Sequence, residues 1–427
     1  MAPPTRCAAR ASACASNVTE LHIALAVAGA MVLLLGLLWR PLQRSPFSAP
    51  LIALLLGMAL GPQALGVLDP SAWGHRETLL EGAARLTIAI GLMSIALYLP
   101  PDWLSQRWRS LVVLLAVVMP LMALAAGLLA YWLLALPLLV ALLIGAVLAP
   151  TDPIVAATIV TGDYAEKSLP QRLRHLLLGE SGANDGLAYP LVFLPLLLLV
   201  RPPGEALGHW LAVSLLYAVG VALALGTLIG HFAGRVLLWA EKHHAIEVHS
   251  LFAYTLALTL LVLGALELVH ADGILGVFVA GIAFSRAVGG KERVEEERVQ
   301  EAINRFFTLP IFVLLGLVLP WAQWQALGWP ALAFAVAVLL LRRLPAVLLV
   351  ARFTPDLVHR RDRLFAGWFG PLGIAALFYA VLAVERTGQE IVWTVASLAI
   401  AASVLAHGIT AAPFTRRYAR RASTSSY

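Results

Sequence analysis

Charged residues are scarce in this sequence, cysteine is almost missing, and no polar stretch is long enough to fold by itself. Asp, Glu, Lys and Arg make up only 13% of the 427 residues, which excludes a soluble domain with an ordinary charged shell. The two cysteines, Cys7 and Cys14, lie close together near the N-terminus, so the body of the chain has neither a disulfide framework nor a cysteine metal cluster. No nucleic-acid motif is present, and the net charge of +6 reads as membrane topology and affinity for an anionic leaflet. Residues 1–20 lack a continuous apolar run; they read as a disordered tail and not as a cleaved signal peptide. Residues 414–427, rich in Arg, Ser and Thr, read as a short cytoplasmic tail, too short for a regulatory domain.

What the sequence has is apolar length. Hydrophobic residues make up 60% of it, and stretches of about 17–25 apolar residues recur from Leu21 to Pro413, about thirteen in all. An all-α polytopic membrane protein follows, with residues 21–413 as its transmembrane domain. An odd number of spans puts the termini on opposite sides, and basic residues choose between the two orientations. With the C-terminus inside, 22 of the 30 Lys and Arg residues fall in inside segments. Arg6, Arg10, Arg76, Arg201 and Arg386 fall outside, and Arg85, Arg342 and Arg343 lie within spans. The largest loop carries the mixed-charge run 291–298, which reads as a solvated helix with charge pairs three and four apart.

Two spans contain residues that a lipid-exposed helix would not tolerate. The fifth, 136–160, holds Pro150-Thr151-Asp152-Pro153, and the twelfth, 360–383, holds Gly367 and Gly370-Pro371-Leu372-Gly373. If spans one to six and eight to thirteen are two halves joined by the seventh, each break falls in the fifth helix of its half, and the second half is inverted. Matched broken helices point to an inverted-repeat transporter with its site at the midplane.

A carboxylate in hydrocarbon costs about 2.5–3.5 kcal/mol, so each one retained suggests a function. The sixth span, 171–200, carries two, in Glu180-Ser181-Gly182-Ala183-Asn184-Asp185. Helical spacing places Glu180 with Asn184 and Ser181 with Asp185. Asp152 and Thr151, beside the first break, add further hard oxygen donors suited to an alkali cation. Desolvation penalises a buried carboxylate's charged form, and a cation or a proton relieves that penalty. Competition of the two for Asp185, in a site that reorients only when loaded, produces obligatory exchange. Asn184 is uncharged, so the pair offers one titratable group, and a one-for-one electroneutral cycle is expected. Arg342 and Arg343 in the eleventh span are candidate partners for Glu180, an ion pair that would be structural.

Other polar residues carry less. Glu267, His270 and Asp272 sit at a short outside turn, where ordinary solvation or entrance-lining is expected. His243, His244 and His249 in an inside loop could sense pH; His407 near the end of the last span reads as a packing histidine. No cofactor is expected. A channel would need a continuous pore and a filter ring, and Ser181 does not match the Gly-x-Ser-x-Gly pattern of a hydrolase.

These motifs, Thr151-Asp152-Pro153 followed by Glu180 to Gly186, resemble those of the cation/proton antiporter-1 family, the Na+/H+ exchangers. Gly273 to Gly281, Phe306 to Gly316 and Ser403 to Gly408 reinforce the likeness. The resemblance implies a homodimer of thirteen-helix protomers with two crossed, partly unwound helices. It also implies exchange of Na+, or alternatively K+ or Li+, for H+, with no enzymatic step, and the short loops suggest a bacterial inner membrane. Asp185 is implied as the ion or proton site, Ser181, Thr151 and Asp152 as ligands or water contacts, and Glu180 with Arg343 as a structural bridge. The Asn184-Asp185 form marks the electroneutral branch. Relatives often carry Arg where this chain has Leu372, a missing positive charge beside the crossing.

Overall fold

The computed structural model describes residues 47–70, 76–160, 168–243, 251–289 and 307–423, with isolated positions at 26, 29, 30, 33, 37 and 166. The tail 1–20 with its cysteines, nearly all of the first expected span, His244, His249 and the charge run 291–298 lie outside the described residues. Helices are α1 (Ala49–Leu60), α2 (Arg76–Tyr98), α3 (Trp103–Leu134), α4 (Leu138–Val147), α5 (Pro153–Val160), α6 (Gln171–Val200), α7 (Pro203–Lys242), α8 (Leu251–Leu268) and α9 (Gly273–Val288). There follow α10 (Phe307–Leu317), α11 (Trp321–Leu327), α12 (Trp329–Leu341), α13 (Leu344–Val350), α14 (Arg360–Trp368), α15 (Ile374–Thr387) and α16 (Glu390–Ser423). Among the described residues there is no strand.

Among the described residues, six helical stretches are long and apolar enough to cross a membrane, or seven if the bent pair Phe307–Leu317 and Trp321–Leu327 is one span: Thr78–Tyr98, Trp103–Leu134, Gln171–Val200, Pro203–Lys242, Trp329–Phe353 and Glu390–Arg420. Of the other expected stretches, the first lies almost wholly outside the described residues, and those at Ala49–Leu60, Ala253–Leu268 and Gly273–Val288 are shorter apolar helices; two more are broken for a physical reason. The fifth and twelfth stretches are each two short helices, because Pro150 and Pro153, and Gly370 with Pro371, withhold donors or favour non-helical backbone. The last helix does not stop at Pro413 but continues to Ser423.

Lipid gives helices no hydrophobic reason to associate, so close packing rests on small residues. A Cβ at Gly230 of α7 would collide with the Ala280 carbonyl of α9, so that pair meets backbone to backbone. At the inside end, as the basic residues assign it, Asp356 accepts from Arg107 and Ser110. Asp362, at the start of α14, accepts from Arg172 and from Tyr418 of α16.

The eleventh stretch hides an irregularity that hydropathy does not show. It breaks between α12 and α13 at Arg342 and Arg343, which are 3% and 2% exposed. Neither snorkels to an interface, and the break sends the two guanidinium groups in different directions.

Candidate functional site at the helix crossing

The four half-helices α4, α5, α14 and α15 meet at their broken ends. The unwound segments are joined directly, the Asp152 amide donating to the Pro371 carbonyl at 2.8 Å. Asp152 gives one carboxylate oxygen to the amide of Val155 in α5, at 2.9 Å, and the other to the amide of Ile374 at the start of α15. One negative charge therefore caps two helix N-termini, where the backbone dipoles leave partial positive charge. Gly373 makes this contact possible, since a Cβ there would collide with the Asp152 carboxylate.

Arg342 is the counterpart at the other ends. Its guanidinium donates to the carbonyls of Leu148, Pro150 and Gly370, the groups left free where α4 and α14 stop. One positive charge thus meets two helix C-termini. Glu180 is held by Arg343 in a bidentate pair, 2.9 Å to Oε1 and 2.7 Å to Oε2, and Arg343 also donates to the Ala366 carbonyl at 2.9 Å.

Asn184 ties α6 to the first break. Its side-chain oxygen accepts the Thr151 amide at 3.1 Å, and its nitrogen donates to Thr151 Oγ1 at 2.7 Å and Glu180 Oε1 at 3.1 Å. The hydroxyls of Thr151 and Ser181 lie 2.9 Å apart. Asp185, one turn beyond Ser181, is 1% exposed, and among the described residues neither of its carboxylate oxygens has a hydrogen-bond partner. No three His, Cys, Asp or Glu side chains among the described residues converge on a metal site. The donors on offer are one free carboxylate and two hydroxyls, a set matched to a single positive charge.

Supports that sequence reasoning passed over lie on α16. The Leu372 amide donates to Ser403 Oγ at 2.7 Å. Ser403 Oγ lies 3.1 Å from His407 Nδ1, and His407 Nε2 lies 2.9 Å from the Trp368 carbonyl. His407 Nδ1 also lies 2.9 Å from the Ser403 carbonyl. A proton on Nε2 makes the ring a donor to Trp368 and an acceptor from the Ser403 hydroxyl, and a proton on Nδ1 makes it a donor to the Ser403 carbonyl, so the ring stands between α16 and the second unwound segment. In sequence, Ser403 and His407 stand four residues apart within the Ser403 to Gly408 motif, and His407 reads only as a packing histidine, so their hold on the unwound segment is not legible there. Asp272 is also placed differently from a solvated turn residue: it is 3% exposed and caps α9 through the Leu275 amide at 3.0 Å. Glu267 pairs with Arg85 at 3.0 Å.

Residues 29–417 match the model of the transmembrane sodium/hydrogen exchanger family. A Na+/H+ antiporter of Schizosaccharomyces pombe is 30% identical over 419 residues, 92% of this chain and 90% of that protein. A probable Na+/H+ antiporter of the same yeast is 29% identical over 428 residues, 93% of this chain and 56% of that protein. The chain spans about half the length of the latter and of an antiporter from Zygosaccharomyces rouxii. In fold it is similar to the sodium proton antiporter MjNhaP1 of Methanocaldococcus jannaschii, with a TM-score of 0.72 at 19% identity, covering 93% of this chain and 99% of that one. With a family match running through nearly every described helix and a crossing of two broken helices at its centre, this chain belongs to the sodium/hydrogen exchanger family.

Proposed function

We propose that the chain is a secondary active antiporter exchanging Na+ for H+, one for one, with both ions competing for Asp185. The observation that carries this reading is the pair of unpartnered, buried Asp185 oxygens beside the helix crossing. A charge desolvated this far is unfavourable until a cation or a proton joins it. Ser181 and Thr151 offer the neighbouring hydroxyl oxygens. The side chains of Asp152 and Asn184 are spent on backbone amides and on Thr151, so their part is to hold the unwound segments in position.

Counting charge supports the stoichiometry. Each helix end carries about half an elementary charge, so Asp152 balances two N-termini and Arg342 balances two C-termini. Arg343 balances Glu180. Asp185 alone is left over, at −1, and one Na+ or one H+ makes the core neutral. A neutral core crosses the hydrocarbon at far lower cost than a charged one, so the loaded site reorients and the empty one stays. This is transport by alternating access, with no covalent step and no enzymatic turnover.

The reading extends to a homodimer in a lipid bilayer, on the family resemblance. The basic residues support an N-terminus outside and a C-terminus inside, and the short loops favour a bacterial inner membrane. The test is dissipation of a pH gradient in proteoliposomes on adding Na+, K+ or Li+, with Asp185→Asn beside the unaltered protein. Dissipation by Na+ that the variant lacks is the expected result. Dissipation by K+ alone would reassign the ion, and silence with all three would overturn the exchange reading.

A further inference from the structure

Among the described residues, buried carboxylate oxygens without a hydrogen-bond partner occur at two residues only, Asp185 and Asp272. Asp185 is used by the exchange reading; Asp272 is not. Its Oδ1 caps α9, but its Oδ2 is buried with nothing to accept, an arrangement that costs stability unless something binds there. A cap alone needs one oxygen and gives no reason to bury the second.

The surroundings connect the two carboxylates. The first turn of α9 is pressed against α6 at Gly186, the residue after Asp185, so closely that a Cβ there would collide with the Leu275 backbone. Leu275 is the residue whose amide Asp272 caps. Tyr379 of α15, fully buried, donates its hydroxyl to the Asp185 carbonyl at 2.7 Å and lies within electrostatic reach of both Asp185 and Asp272. Tyr189, one turn beyond Asp185 on α6, lies within reach of Asp272 and of Glu267. Glu267, with 41% of its side chain exposed, stands at the rim. Glu267 at the rim, where it pairs with Arg85, Asp272 and the two tyrosines thus lie between the outer end of α9 and Asp185, with Arg386 also within reach of Tyr189.

From this geometry we infer that Asp272 is a second ion station, a carboxylate that takes the monovalent cation or proton on the outer side of the membrane and hands it to Asp185. The inference rests on the exchange reading above. A bound cation supplies the partner that Oδ2 lacks, and its negative charge raises the local cation concentration at the outer mouth. The station acts on one face only, because Asp272 lies at the end of α9 that the basic residues assign to the outside.

The test uses the full chain reconstituted with known sidedness, and the apparent KM for Na+ and for Li+ is measured at each face. Asp272→Asn removes the charge but keeps a favoured helix cap for Leu275. The expected result is a rise in outer KM of about tenfold, with the inner KM and the melting temperature unchanged, and a return toward the original outer KM in Asp272→Glu. Asp272→Ser, another favoured cap, replaces the Asn variant if that does not fold. An unchanged outer KM in a folded variant overturns the proposal. So does an equal rise at both faces, or failure of both neutral caps to fold, since each assigns the carboxylate to structure alone. Silence of the unaltered protein at both faces fails the exchange reading instead, whereas activity that Asp185→Asn abolishes and Asp272→Asn leaves intact fails only the station.

Discussion

The carboxylate of Asp152, at the start of one half-helix, accepts the first amide of the other, that of Ile374. Charge-assisted bonds of this kind contribute about 1.5–3 kcal/mol each when buried. Asp152→Asn keeps the shape but removes the charge, and turns one oxygen acceptor into a donor facing an amide. The purified variant is expected to melt at a clearly lower temperature and to lose exchange because the crossing is misassembled. An unchanged melting temperature would show that the cap does not hold the crossing.

Asp185 carries the opposite expectation. Its oxygens have no partner among the described residues, so Asp185→Asn removes an unpaired buried charge instead of a bond. Exchange is expected to vanish while the melting temperature holds or rises, by about 1–3 kcal/mol in stability. Na+ should raise the melting temperature of the unaltered protein and leave the variant's where it is, because only a folded state with a site gains from the ligand. A variant that melts early would mean that Asp185 is a structural residue.

The contrast between these two aspartates marks what was legible in sequence. Apolar length gave the helical membrane class, and proline and glycine within two of the stretches gave both breaks and their matched positions. A carboxylate in an apolar run announced Asp185 and Asp152 alike, because the cost of inserting charge does not say whether amides or an ion offset it. Only the approach of the α15 N-terminus to Asp152 distinguishes them, since the Ile374 amide is what takes up the second Asp152 oxygen. Arg342 and Arg343 were likewise equivalent as neighbours in a span; the helix break between α12 and α13, which hydropathy cannot register, separates a carbonyl cap from an ion pair. Asp272 read as a solvated turn residue because burial there comes from α6 and α7, elements distant in sequence from α9.

The Glu180–Arg343 pair offers a test of sign. Both side chains are nearly fully buried, and removing one partner leaves the other's charge uncompensated, at a cost of about 3–5 kcal/mol. Glu180→Gln and Arg343→Met are each expected to lower the melting temperature strongly. The double variant should recover much of the loss, since replacing both members removes both buried charges. Losses that simply add would show that the two side chains do not act as a pair.

Leu372 leaves the second unwound segment without a charge of its own, and Arg342 reaches the same place from another helix through the Gly370 carbonyl. In the charge count above, Arg342 is what makes the loaded core neutral. Arg342→Met removes that charge, so both the Na+-loaded and the H+-loaded cores carry −1 through the hydrocarbon. The cycle stays one for one, but each reorientation becomes slower, by about a hundredfold for a charge near the bilayer centre. Each reorientation also comes to respond to the membrane potential. Exchange by the unaltered protein should be indifferent to a potassium diffusion potential imposed with valinomycin, and exchange by the variant should not. Adding Leu372→Arg to the variant returns a guanidinium to the segment between Pro371 and Gly373, and should restore part of the rate and the indifference to potential. A slow variant that ignores the potential would mean that Arg342 only holds the carbonyls in place, and the charge count would have to be abandoned.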